Sequence, residues 1–166
     1  KIAEILPLLP DLKHIIVVNK DGRSSGPLAE GDLSFEELMA SASDADASLD
    51  TTRDSYSVMH FTSGTTGKPK GAVHRHNSVI QQYVTGKWCL DLHADDVYWC
   101  TADPGWVTGT SYGMIAPWTN GVTQIIYEGG FSARKWYQIL QDYNVTVWYT
   151  APTAIRMLMK SGSELP

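Results

Sequence analysis

The run Thr62-Ser63-Gly64-Thr65-Thr66-Gly67-Lys68-Pro69-Lys70-Gly71 places hydroxyls, glycines and two lysines in one turn, directly after the apolar stretch Val58 to Phe61. That is the chemistry of a polyphosphate cradle. Glycines let backbone N–H groups approach phosphate oxygens, hydroxyls add donors, and lysines supply charge that can follow negative charge onto a leaving group. The spacing excludes a Walker A loop, which needs four residues between its first glycine and Gly-Lys-Ser/Thr. Here only Thr65 and Thr66 separate Gly64 from Gly67-Lys68, and Pro69 stands where Ser or Thr is required.

The run resembles the phosphate-binding signature of the adenylate-forming superfamily, which includes acyl-CoA synthetases, luciferases and the adenylation domains of peptide synthetases. Two more segments resemble acetyl-CoA synthetases, in the same order and at about the same separations. They are Tyr98-Trp99-Cys100-Thr101-Ala102-Asp103-Pro104-Gly105-Trp106-Val107-Thr108-Gly109 and Trp148-Tyr149-Thr150-Ala151-Pro152-Thr153-Ala154-Ile155-Arg156. The similarity covers Tyr56 to Leu165. Earlier residues match only in general character.

The resemblance implies an ATP-dependent, AMP-forming acetate–CoA ligase. In such an enzyme a carboxylate attacks the α-phosphate of ATP, pyrophosphate leaves, and the thiol of CoA captures the acyl-adenylate. Charge building on pyrophosphate is met by N–H groups, hydroxyls, lysine and Mg²⁺. The resemblance assigns ATP and pyrophosphate binding to Thr62, Ser63, Gly64, Thr65, Thr66, Gly67 and Lys70, with Lys70 as the catalytic residue. Lys68, ahead of Pro69, is open to a solvent-facing role instead. The acyl and CoA pocket falls to Trp106, Val107, Thr108 and Gly109, against the alternative that Trp106 is a core residue, and Thr150 to Thr153 shape the same cleft. No metal-ligand residues are assigned.

The expected partners are acetate or another short carboxylate, ATP, CoA, and the rest of a longer parent chain ending in a C-terminal lid domain. The chain then reads as a central piece of the large N-terminal domain, inactive alone, and its first residue, Lys1, fits a fragment. The adenine- and ribose-binding motifs, the hinge and the C-terminal catalytic lysine are expected beyond Pro166. The connection Glu128 to Ser132 reads as shorter than in acetyl-CoA synthetases, so no CoA contact is assigned to it. Two alternatives stand beside this reading: another short-chain acyl-CoA synthetase, such as a propionyl one, and a truncated non-catalytic nucleotide- or phosphate-binding module.

Composition bounds the rest. A chain of 166 residues with 43% hydrophobic content suits about one soluble domain. The net charge of −5 argues against nucleic-acid or anionic-membrane partners, which select basic stripes. An acidic chain that binds ATP must gather positive charge locally, and Lys68, Lys70 and Arg75 are the candidates. Cys89 and Cys100 have no partner motif and are expected to be buried free thiols in a reducing cytoplasm. No stretch approaches the ~20 apolar residues of a membrane span, and the expected location is cytoplasmic. The aspartates Asp44, Asp46, Asp50 and Asp54 lack the glycine and glutamate of a calcium loop and read as solvated surface. His74 and His76 have no third ligand near them, and Asp103 before Pro104-Gly105 reads as a turn former.

The elements that must position these residues divide at 55/56. Residues 1–55 read as a strand at Ile15 to Val18 closed by a turn at Asn19 to Gly22, a helix capped by Ser34, and a loop from Ser41 to Ser55. Residues 56–166 read as alternating strands and helices. The strands are Val58 to Phe61, Val97 to Cys100, Gln124 to Tyr127 and Val145 to Tyr149. A first helix presents Val79, Ile80, Tyr83, Val84 and Trp88 on one face, a segment near Tyr112 is helical until Pro117 interferes, and a Ser132-capped helix carries Trp136, Ile139, Leu140 and Tyr143. The last helix opens at Pro152 and runs through Lys160. This alternation predicts an α/β fold, a mostly parallel sheet with helices on both faces, whose ligand edge would gather the phosphate loop, Asp103 to Trp106 and Thr150 to Pro152.

Overall fold

The computed structural model describes residues 2–19, 28–64 and 67–162. The expected turn residues Lys20 to Gly22, and Thr65 and Thr66 of the phosphate loop, lie outside the described residues. The chain forms two compact units, Lys1–Leu49 and Asp50–Pro166.

In the first unit, a helical turn α1 (Ile2–Ile5) leads to strand β1 (Ile16–Val17), which pairs in parallel with β2 (Leu33–Ser34). Helix α2 (Phe35–Ser41) follows at once. Ser34 caps it as expected: its hydroxyl oxygen accepts the N–H of Glu37 at 3.2 Å, and Glu36 and Glu37 occupy the first turn, where the helix dipole favours carboxylates. Glu36 also accepts the N–H of Asn19 at 2.9 Å, tying the end of β1 to α2.

The second unit holds two sheets. Strand β3 (Tyr56–Thr62) turns through the glycine-rich loop into β4 (Lys70–Arg75), and the two pair antiparallel with Thr62 opposite Lys70 and Tyr56 opposite Arg75. Strand β4 is not expected from the sequence, because Lys-Gly-Ala-Val-His-Arg lacks the apolar run of a buried strand. Strands β5 (Val97–Cys100), β6 (Thr123–Ile125) and β7 (Val147–Tyr149) form a separate parallel sheet in the order β6-β5-β7. The phosphate loop is therefore a hairpin turn and does not extend from the parallel sheet's edge.

Strand β5 is the centre of the core. Tyr98 is 0% and Trp99 1% exposed, and their side chains leave opposite faces, as strand period demands. On one face Trp99 stacks on Trp148 with ring centroids 6.0 Å apart and meets Trp136 edge-on at 5.3 Å. Trp136 and Ile139 come from α6 (Ala133–Asp142), capped by Ser132 as expected. Tyr143, placed on the same stripe by periodicity, is exposed. On the other face Tyr98 packs with Leu92 and Val122. There a continuous helical run crosses the sheet: α4 (Val107–Thr110), a π-helical turn Ser111–Ile115, and α5 (Ala116–Thr119). Helices thus cover both faces of a parallel sheet, as the sequence predicts.

Pro117 does not stop this run. Its missing N–H would have served the carbonyl of Gly113 in an α-helix or of Tyr112 in a π-helix. Both carbonyls have other donors: the Tyr98 hydroxyl donates to Tyr112 O at 2.7 Å, and the Gln124 amide donates to Gly113 O. The sheet supplies what the proline withholds.

Helix α3 (Val79–Cys89) reverses the expected face. Ile80, Tyr83, Val84 and Trp88 are exposed, while Gly86 is buried against Ala116 and Asn120. The reason is close approach: a Cβ on Gly86 would stand 3.3 Å from Ala116 Cβ and 2.6 Å from Asn120 Nδ2. Small and polar residues, not the apolar ones, make this helix contact. Helix α7 (Pro152–Lys160) opens at Pro152 and closes the described chain.

Candidate active site

The phosphate loop is shaped by its glycines. Gly64 has φ +62° and Gly67 φ +80°, the left-handed region that side chains rarely adopt. The loop closes on itself: Gly67 N–H donates to Gly64 O at 3.4 Å, and a Cβ on Gly64 would lie 2.4 Å from Lys68 O. Lys70, first residue of β4, folds back over this turn, its Cε 3.6 Å from where that Cβ would stand. Ser63, Gly64, Gly67 and Lys70 are therefore drawn together by one tight turn. The Thr62 hydroxyl donates to Lys70 O at 3.5 Å, across the neck of the hairpin. Lys68 and Lys70 are both exposed.

Arg75 does not join them. Five residues further along β4, at about 3.4 Å per residue, it lies roughly 17 Å from Lys70. There it faces Asp54 at 3.6 Å and lies over the Tyr56 ring at 5.9 Å. The loop's positive charge is that of its lysines. His74 also stays on the hairpin, edge-on to His60 with ring centroids 5.5 Å apart.

A second cluster forms at the C-terminal ends of β5 and β7. Thr101 N–H donates to Tyr149 O at 3.0 Å, continuing the ladder one step past β5, and the hydroxyls of Thr101 and Thr150 are 2.7 Å apart. Asp103 then makes the turn expected of it: its carboxylate accepts Gly105 N–H at 2.7 Å, and its carbonyl accepts Trp106 N–H at 3.0 Å. The Thr110 hydroxyl donates to Pro104 O at 2.8 Å, fastening the first turn of the helix to the same loop. Gly109 is what allows this. A Cβ there would sit 1.9 Å from Asp103 O and 2.5 Å from Asp103 C.

Beside this turn lies a cavity of about 450 Å³, lined by Thr101, Pro104, Gly109, Met114, Ile125 and Tyr127 among others. Of the acyl-pocket candidates, Gly109 lines it. Trp106 and Val107 stand on the exposed side of the first helical turn, at 72% and 46% exposure, so Trp106 is not a core residue of this chain. Thr108 is half-buried. Cys100 and Met114 line the cavity without having been singled out as site residues, because an isolated thiol and an isolated methionine carry no spacing signal. Burial pushes the Cys100 thiol up, and it stays a thiol at neutral pH. Cys89, expected to be buried, is exposed on α3, and both cysteines are free.

Of the three segments expected at one sheet edge, the 101–110 and 150–152 segments meet. Among the described residues no hydrogen bond ties the phosphate loop to either of them. Nor do any three His, Cys, Asp or Glu side chains among the described residues cluster as a metal-ligand set.

Comparison with known proteins locates these features in a family. Residues 1–165 match the family described as AMP-binding enzyme. The acetyl-coenzyme A synthetase of Bacillus subtilis is 46% identical over 99% of this chain, and that of Methanothrix thermoacetophila 39% over 99%. This chain spans 28% and 26% of those two relatives' lengths. Among solved structures, Brucella canis acyl-CoA synthetase matches 84% of this chain and 26% of its own, with a TM-score of 0.75 at 34% identity.

Proposed function

Because this chain belongs to the family of AMP-binding enzymes, we propose that it is part of an AMP-forming acetate–CoA ligase and carries that enzyme's pyrophosphate cradle. The observation that carries this reading is the tight turn in which Gly64, Gly67 and the folded-back Lys70 converge. Backbone N–H groups and an ammonium gathered at one turn suit an anion whose charge grows as the reaction proceeds. In this reading Thr62, Ser63, Gly64, Gly67 and Lys70, with Thr65 and Thr66, hold the β- and γ-phosphates of ATP, and Lys70 follows the charge onto departing pyrophosphate. Residues 56–166 carry the AMP-binding core.

Trp106 to Gly109 form one wall for the acyl group and the entering CoA thiol. Gly109, packed without a side chain against the Asp103 backbone, holds that wall to the Asp103 turn. Mg²⁺ enters with the nucleotide. Among the described residues no three His, Cys, Asp or Glu side chains cluster as a ligand set for it. Acetate is the proposed carboxylate because the relatives named above are acetyl-coenzyme A synthetases. A cytoplasmic location belongs to the same proposal, and the free cysteines fit it.

The test is carboxylate-dependent ATP–pyrophosphate exchange by the full-length parent protein with acetate, propionate and butyrate. Exchange is expected to be fastest with acetate. A preference for butyrate would overturn the acetate assignment, and no exchange with any of the three would overturn the ligase reading.

A further inference from the structure

We propose that Thr101 and Thr150 act together as positioning residues, a hydroxyl clasp that holds the carboxylate-side turn of the site against the turn leading into α7. The inference rests on the ligase reading above. The two threonines lie 49 residues apart in sequence, at the first positions past the ends of neighbouring parallel strands, and their hydroxyl oxygens approach to 2.7 Å in a half-buried setting. A ladder bond at 3.0 Å from Thr101 N–H to Tyr149 O fixes the two chains at this level. Beyond that point the ladder ends and the chains part, one into Ala102-Asp103-Pro104 and the other into Ala151-Pro152. Among the described residues the hydroxyl pair is the last hydrogen bond between them.

Everything downstream of Thr101 is mechanically linked. The Asp103 turn is closed by Gly105 and Trp106 N–H groups, bound to the helix by Thr110, and in backbone contact with Gly109. A shift at Thr101 is therefore passed to Val107, Thr108 and Gly109 through these contacts. The phosphate loop stands on a different sheet and shares no hydrogen bond with the clasp among the described residues. The clasp should thus govern the carboxylate side of the site and leave the nucleotide side alone.

The experiment measures acetate and ATP dependence of pyrophosphate exchange, with thermal unfolding, in the full-length parent protein carrying Thr101→Val, Thr150→Val, both together, or Thr101→Ser. Valine keeps the shape and strands the opposite hydroxyl without its partner. Each single valine variant is expected to lower kcat/KM for acetate about tenfold while the KM for ATP stays within about twofold. Thr101→Ser should restore the wild-type value. The double variant should lose no more than either single, since both remove one shared bond. Unchanged acetate kinetics in both valine variants would overturn the clasp, as would ATP and acetate KM rising in parallel, or a double-variant loss equal to the product of the singles. Wild-type protein without acetate-dependent exchange would overturn the ligase reading and the positioning role with it. Wild-type exchange with silent valine variants would overturn the positioning role alone.

Discussion

Gly109→Ala should damage the site more than its size suggests. A Cβ at this position would stand 1.9 Å from Asp103 O, and real Cβ atoms do not approach closer than 3.0 Å, so the Asp103 turn or the helix must move by about 1.1 Å. The obstacle is backbone, with Pro104 Cα behind it at 2.9 Å, so no side-chain rotation relieves it. Overpacking of this kind costs about 1–3 kcal/mol. Misplacing reacting groups by about 1 Å can cost about 100-fold in rate. In the full-length protein, acetate-dependent pyrophosphate exchange is expected to fall by about that factor, with a lowered thermal midpoint. Gly130→Ala is the control, since a Cβ there meets nothing within 4 Å. Wild-type exchange and stability in Gly109→Ala, or equal damage in Gly130→Ala, would refute the argument from packing.

Lys70→Ala and Gly64→Val probe the cradle. Each should slow pyrophosphate exchange by about 100-fold or more. Lys70→Ala should leave the unfolding midpoint nearly unchanged, because that side chain is exposed, whereas Gly64→Val adds roughly 1–3 kcal/mol of strain at φ +62°. Tyr98→Phe removes the donor to the Tyr112 carbonyl beside Pro117 and should cost about 1–2 kcal/mol in denaturant unfolding. Asp96 supplies a pH test. Burial alone would raise its pKa, but the His93 N–H, the Thr146 hydroxyl and the His93 ring together hold it below the ordinary 3.8. A carboxyl lowered by folding contributes stability above its unfolded value and loses it as pH falls through the folded one. The stability difference between wild type and Asp96→Asn should therefore shrink as pH falls below about pH 4. A difference that grows on acidification would contradict this.

What the sequence made legible was local. Ser34 and Ser132 announce their helices because a cap is a relation between residues three apart, and Val97 to Cys100 reads as a buried strand because its run is unbroken. The glycine-rich turn declares its chemistry through composition. The illegible parts depend on partners distant in sequence. Strand β4 is a strand because β3 pairs with it, while its own residues carry no apolar signal. Helix α3 turns its small face inward because α5 approaches Gly86, which no periodicity reveals. The run through Pro117 persists because Tyr98 and Gln124 reach its orphaned carbonyls. The Thr101–Thr150 pair needed the strand register before it could be seen.

The most direct test is a crystal structure of the full-length protein with a non-hydrolysable ATP analogue. The β- and γ-phosphates are expected within hydrogen-bond distance of the backbone N–H groups between Ser63 and Lys68, with the Lys70 ammonium beside them. A triphosphate bound elsewhere, with this turn contacting only solvent, would contradict the account.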